Sequence, residues 1–107
     1  MEFQKVKLND AVTMQVISYS EQLMTAKFWF SGPGFAGTHH HDHEEVNIVV
    51  SGEFEATNGE QKYRVKAGET ATISSGVEHD MKCVSGEAVM ISVWTPARKD
   101  LLKLAGL

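Results

Sequence analysis

From Val12 to Trp94 the chain is a succession of short runs rich in Val, Ile, Thr, Phe and Tyr, broken by Gly32, Gly34, Gly37, Gly52, Gly59, Gly68, Gly76 and Gly86. Such runs favour strands over helices, because β-branched and aromatic side chains pack well on a pleated surface and glycine takes the positive φ of tight turns. Short strands at this spacing leave an all-β sandwich or barrel as the architecture. Met24, Ala26, Phe28 and Phe30 alternate with Thr25, Lys27 and Trp29, and Tyr63, Val65 and Ala67 alternate with Lys62, Arg64 and Lys66. A period of two gives each run one dry face and one wet face. Trp29, Trp94 and the phenylalanines are assigned to the core, Cys83 is expected as a small buried strand residue, and Lys62, Arg64 and Lys66 form a solvated face. Asn58-Gly59 predicts a hairpin closed by a type I′ turn, with positive φ at both residues. The sequence offers one helix, over residues 97–104, with Thr95 as its cap, Pro96 at the first helical position and Gly106 beyond its end. A helix this short forms only if it docks.

Size and charge narrow the class further. The 107 residues are expected to form a single domain over 1–107, with no internal repeat and no linker. A hydrophobic fraction of 42% and a charged fraction of 22% fit a soluble globular chain and exclude disordered, collagen-like and membrane-spanning classes. Ten Lys+Arg against fourteen Asp+Glu leave a net charge of -4 with no basic block, so neither nucleic acid nor a membrane is an expected partner. The single cysteine, Cys83, cannot close an intrachain disulfide, and Met-Glu-Phe-Gln-Lys at the start carries no apolar signal core. A cytoplasmic location is therefore expected.

Four of the five histidines, His39, His40, His41 and His43, fall within one short segment, while His79 stands far downstream. In an extended segment residues two apart share a face, with Cα atoms about 6.6 Å apart, so His39 and His41 can aim two imidazoles at one ion. Glu45 can join them only if the chain turns at Asp42-His43-Glu44, since an extended path from His39 would span roughly 20 Å. Val46 to Val50 then continue as the strand entered from Glu45. His79 would arrive from a separate strand, after the turn-like Ser74-Ser75-Gly76. His40 and His43 are expected outside the ligand set, because a His41-x-His43 frame would put Asn47 at the carboxylate position.

These residues carry a resemblance. His39-x-His41-x3-Glu45-x6-Gly52 resembles the first motif of the cupin family, and Gly68-x5-Ser74-x-Gly76-x2-His79-x3-Cys83 resembles the second, with Ser74 for its proline and Cys83 for its asparagine. The resemblance implies a double-stranded β-helix, the cupin jelly-roll barrel, with one divalent metal ion held by His39, His41, Glu45 and His79. A narrower similarity runs through Tyr19 to Met24, Gly37-Thr38-His39 and Trp94 to Asp100, and is to the small KdgF-type cupins of pectin and alginate breakdown. It implies action on a 4,5-unsaturated uronic acid, with Arg98 holding the substrate carboxylate and Trp94 shaping the pocket. Ser92 stands where those cupins place an aspartate suited to proton transfer, and Glu45 where they place a glutamine. A homodimer pairing through strand edges is the expected assembly.

Three imidazoles and a carboxylate suit Fe, Mn, Co, Ni or Zn, and an octahedral shell around them leaves two positions open. Three functions fit that site. One is a metal-dependent isomerase or lyase of sugar-acid metabolism, with the metal as Lewis acid in ring opening or tautomerisation. The others are an iron-dependent dioxygenase and a non-catalytic cupin that binds a small acid. The small-molecule partner in the first is a sugar acid, and Arg98, Ser92 and Trp94 are its candidate catalytic residues.

Overall fold

The computed structural model describes residues 2–35 and 37–107. Nine strands are present among them: β1 (Val6–Lys7), β2 (Val12–Tyr19), β3 (Met24–Phe30), β4 (Glu44–Ser51), β5 (Glu53–Asn58), β6 (Gln61–Lys66), β7 (Thr70–Ile73), β8 (His79–Cys83) and β9 (Ala88–Thr95). One helix, α1 (Lys99–Leu104), follows. The strands make two antiparallel sheets, a larger one ordered β1-β2-β3-β9-β4-β7 and a smaller one ordered β6-β5-β8. This is the all-β jelly-roll barrel that the sequence implies. The last strand, β9, lies between β3 and β4, so the end of the chain runs through the middle of the larger sheet.

The alternation of β3 is realised residue by residue, with Met24, Ala26, Phe28 and Phe30 buried and the residues between them half-exposed. Inward Met14, Phe28, Phe30 and Met90 from the larger sheet share one core with Phe54 and Met81 from the smaller. Phe30 and Phe54 join the sheets edge to face, with ring centroids 4.9 Å apart. Burying each such side chain stabilises the barrel by about 1.5–3 kcal/mol. No helix among the described residues is long and apolar enough to cross a membrane.

Four local expectations are corrected. The hairpin between β5 and β6 turns through Gly59-Glu60, because Asn58 still pairs with Gln61. Only Gly59 takes a positive φ, +62°, which places glycine first in the turn, as a type II′ connection requires, instead of at the second position of a type I′ turn. Thr95 is not a helix cap but the last residue of β9, paired with Glu44. The helix therefore starts at Lys99, with Arg98 as its cap residue, and Pro96 lies in the connection before it. Ala67 lies past the end of β6 and is exposed. Trp29 is not core: it sits on the outward side of β3, with the ammonium groups of Lys5 and Lys27 4.4 Å and 5.0 Å from its ring. Cys83 is buried in β8, and Lys62, Arg64 and Lys66 are all exposed, as expected.

Gly52, between β4 and β5, shows why the first motif ends in glycine. Its φ is +78°, and a Cβ there would lie 2.6 Å from the Glu87 carbonyl oxygen and 2.7 Å from Ala88 Cβ. Neither neighbour is the free end of a flexible side chain. Gly52→Ala is therefore expected to destabilise the fold by about 3 kcal/mol, through overpacking and a disfavoured φ together. A thermal melt within ~3 °C of wild type would disprove this account, since the expected loss in Tm is ~10 °C or more.

Candidate metal centre

The histidine segment reaches the barrel by pairing with β8. His39 and His79 form an isolated antiparallel bridge, His39 N–H donating to His79 O at 3.0 Å and His79 N–H to His39 O at 2.8 Å. The His41 carbonyl accepts from the Gly76 N–H at 2.8 Å. These backbone bonds bring the downstream histidine to the upstream pair. The ligand nitrogens of His39, His41 and His79 all lie within 4.8 Å of one another. Bends at Asp42 and His43 turn the chain into β4, which opens at Glu44, so Glu45 faces the imidazoles. Its Oε1 is 3.3 Å from His41 Nε2 and 3.5 Å from His79 Nε2. The structure thus brings together all four sequence-derived ligand candidates.

Strand register fixes the carboxylate. Glu45 pairs with Trp94 and Asn47 with Ser92 across β4 and β9, all four on the inward face. Trp94 Nε1 donates to Glu45 Oε1 at 2.6 Å, and Asn47 Nδ2 donates to Glu45 Oε2 at 2.7 Å. Ser92 Oγ donates in turn to Asn47 Oδ1 at 2.6 Å. All four side chains are buried. A chain of donors that ends on a carboxylate holds it in one orientation and favours its charged form. Asn47 went unassigned in the sequence reading, although a polar residue two positions after Glu45 in a period-two strand marks the same face.

Electrostatics prepare the nitrogens as ligands. Burial, and then the Arg98 guanidinium, hold His41 down at about 4. Burial and the neighbouring His79 lower His39. Burial also opposes charge on Glu45, but the His79 imidazole, Asn47 and Trp94 outweigh it and keep the carboxyl at about 2. His79 is likewise pressed down by burial, yet the Glu45 carboxylate and the Val77 carbonyl raise it above its ordinary value. His79 Nδ1 donates to that carbonyl at 2.8 Å, which turns Nε2 toward the centre. His79 Nε2 and both ring nitrogens of His41 are buried without a hydrogen-bond partner among the described residues. A buried imidazole costs stability unless its lone-pair nitrogen finds a proton donor or a cation. Together with an anionic carboxylate these nitrogens fit a divalent ion of the borderline type.

His40 and His43 are used elsewhere. His40 Nδ1 lies 2.9 Å from Glu78 Oε1 at the surface, and His43 Nε2 donates to the Ala97 carbonyl at 3.2 Å.

The centre opens onto a cavity of about 340 Å³. Phe28, Phe30, Met81 and Met90 form apolar walls, while Arg98, Asp100, Ser92 and Trp94 also line it. Arg98 lies with its guanidinium carbon 5.6 Å from the Trp94 ring, and its side chain is mostly covered. It is already engaged, donating to both oxygens of Asp100 through Nε at 3.0 Å and Nη2 at 2.7 Å. That fork is bidentate, the geometry by which an arginine grips any carboxylate.

Residues 31–95 match the family model described as Cupin domain. The chain belongs to the cupin family. This cupin is also similar to the pectin degradation protein KdgF of Dickeya dadantii (strain 3937), with 26% identity over 97 residues that cover 90% of this chain and 88% of the relative. Among solved structures, an RmlC-like cupin from Shewanella frigidimarina NCIMB 400 is 25% identical and superposes with a TM-score of 0.87, over 92% of this cupin and 88% of that chain. KdgF from Halomonas sp. is 19% identical with a TM-score of 0.85, over 92% and 90% of the two chains, and so shares the fold.

Proposed function

We propose that this cupin is a metal-dependent enzyme acting on a small sugar acid, with a 4,5-unsaturated uronic acid as the favoured substrate. The observation that carries this reading is the convergence of His39, His41, Glu45 and His79 in the lining of a cavity that a forked arginine also lines. Similarity to a pectin degradation protein supports the choice of substrate class. The four side chains would hold one divalent ion such as Fe, Mn, Co, Ni or Zn, which when bound supplies Lewis acidity toward a substrate oxygen.

The remaining work falls to the chain itself. Arg98 grips the substrate carboxylate, and to do so exchanges it for the carboxylate of Asp100. Trp94 holds Glu45 in place and presents its ring face beside the guanidinium, while Asn47 holds the second oxygen of Glu45. Ser92 acts through Asn47, keeping its amide turned toward the carboxylate. Apolar walls exclude bulk water, which strengthens each of these polar contacts.

The test is direct. Metal-loaded protein incubated with 4,5-unsaturated galacturonate, or with the equivalent from mannuronate or guluronate, is expected to speed loss of the enol-ether ultraviolet absorbance. A protein that neither turns over nor binds any of these acids would refute the proposal. One observation favours a second reading, a metal-containing cupin that binds an acid without transforming it. Glu45 and Asp100 are the carboxylates among the described cavity-lining residues, and both are engaged. Saturable uronate binding with unchanged absorbance would select that reading.

A further inference from the structure

The cavity holds an acid for the proposed reaction at a position that the free protein conceals. Of the described titratable side chains that line it outside the four candidate ligands, His40 is tied to Glu78, and Arg98 keeps its proton at any ordinary pH. Asp100 is the third. Its carboxylate accepts from Arg98 Nε at 3.0 Å and Nη2 at 2.7 Å, so it occupies the place where a substrate carboxylate would be gripped. No other side chain among the described residues donates to it. A substrate that takes the fork therefore leaves Asp100 free.

Backbone limits where the freed carboxylate can go. Asp100 lies in the first turn of α1, which Leu102 anchors by its burial and by donating its N–H to the Arg98 carbonyl at 3.0 Å. Only the side-chain torsions of Asp100 remain, so its carboxyl stays beside the guanidinium and in the cavity wall. In a 4,5-unsaturated uronate the carboxylate carbon is bonded to C5, and C4 is the next atom along the double bond. A substrate carboxylate held by Arg98 thus brings C4 up to Asp100. We infer, on the reading that the substrate is such a uronate, that Asp100 is the general acid that delivers a proton to C4.

The step balances without an oxidant or a reductant. Loss of the anomeric O1–H proton to water lets the C1=O1 bond form while C1–O5 breaks, its electron pair passing to O5. The enolate then closes C5=O5 as the C4=C5 pair takes the proton of the Asp100 carboxyl, and water returns a proton to Asp100. One proton leaves O1 and one arrives at C4, which is an isomerisation. Carboxylate exchange also sets the protonation state. In the free protein the hydrogen bond from Arg98, against burial, holds the Asp100 carboxyl below its ordinary value. With substrate on the fork that bond is gone and a like charge stands alongside, and two carboxylates sharing one site retain a proton. Binding thus loads the acid that the next step uses. Ser92 does not fill this role, because its hydroxyl is spent on Asn47.

The test uses metal-loaded protein and 4,5-unsaturated galacturonate in deuterium oxide. Wild type is expected to place deuterium at one of the two C4 positions of the product and not the other, read by proton NMR at early times. Asp100→Asn is expected to lose at least ~100-fold in kcat, the scale of general acid catalysis, without a rise in KM. Its residual product is expected to carry label at both C4 positions, because an enol that leaves unprotonated takes deuterium from solvent on either face. Calorimetry with saturated galacturonate, which has no C4=C5 bond to protonate, is expected to show the variant binding at least as tightly as wild type. Wild-type kcat and one-sided label in Asp100→Asn would make Asp100 a mere competitor for Arg98, overturning the inference while leaving the uronate reading intact. Label spread over both positions by wild type would do the same, since C4 would then be protonated off the protein. A wild type that turns over no unsaturated uronate would sink both.

Discussion

His79→Ala is expected to strip the protein of most of its bound divalent metal, lowering affinity by more than ~100-fold. Loss of a partner one shell further out already costs 10–100-fold at metal sites, and the proposed site takes an inner nitrogen from His79. The physical reason lies in its position. His79 is buried, its Nδ1 is spent on the Val77 carbonyl, and its Nε2 sits 3.5 Å from the carboxylate of Glu45. The two other histidines of the segment are engaged elsewhere, His40 with Glu78 and His43 with the Ala97 carbonyl. His40→Ala and His43→Ala are accordingly expected to keep near-normal metal content. Elemental analysis after exhaustive dialysis distinguishes the outcomes. Equal losses from all three variants would mean a diffuse histidine cluster and would remove His79 from its assigned place.

Arg98→Lys is expected to slow turnover of an unsaturated uronate by about 100-fold while leaving metal content intact. Lysine keeps the positive charge but offers a single point of contact, whereas the guanidinium now presents Nε and Nη2 in parallel to one carboxylate. A substrate gripped at one point can rotate, and misplacement by about 1 Å costs on the order of 100-fold in rate. Much of the loss is expected in kcat as well as KM, because the orientation of the ring relative to the centre depends on the fork. Equal rates for the two proteins would show that Arg98 serves only Asp100. Asp100→Asn separates the two roles: if the native fork competes with substrate, freeing it is expected to lower KM.

The barrel was legible in the sequence because its information is local. Period-two alternation and turn residues can be read within a few positions, and they located the strands, the inward face of β3 and the exposed face of β6. The clustering of the candidate residues was legible for a different reason: His39, His41 and Glu45 lie close together, and His79 is the one histidine outside that segment. What could not be read was register between distant strands. Nothing near Glu45 indicates that Trp94 will stand opposite it, or that Ser92 will stand opposite Asn47. That register turns four separate residues into one hydrogen-bonded chain. The helix start was misplaced for the same reason, since Thr95 reads locally as a cap but is claimed by Glu44 from across the sheet. Trp29 shows the limit of composition, because a large aromatic ring placed beside two lysines can be stable on the outside.

If the centre holds the proposed ion, the backbone bridge between His39 and His79 ties folding to the ion supply. The complete set of four candidate ligands exists only once the histidine segment has closed onto β8, so an unfolded chain has no comparable site to offer. By mass action, an ion that binds only the closed barrel deepens its free-energy minimum, by about 2.7 kcal/mol when free metal stands at a hundred times its dissociation constant. Such a chain emerging in metal-poor surroundings would have a shallower minimum and a looser histidine segment than the same chain in metal-rich ones. Metal availability would then govern how long the protein persists as well as what it can bind.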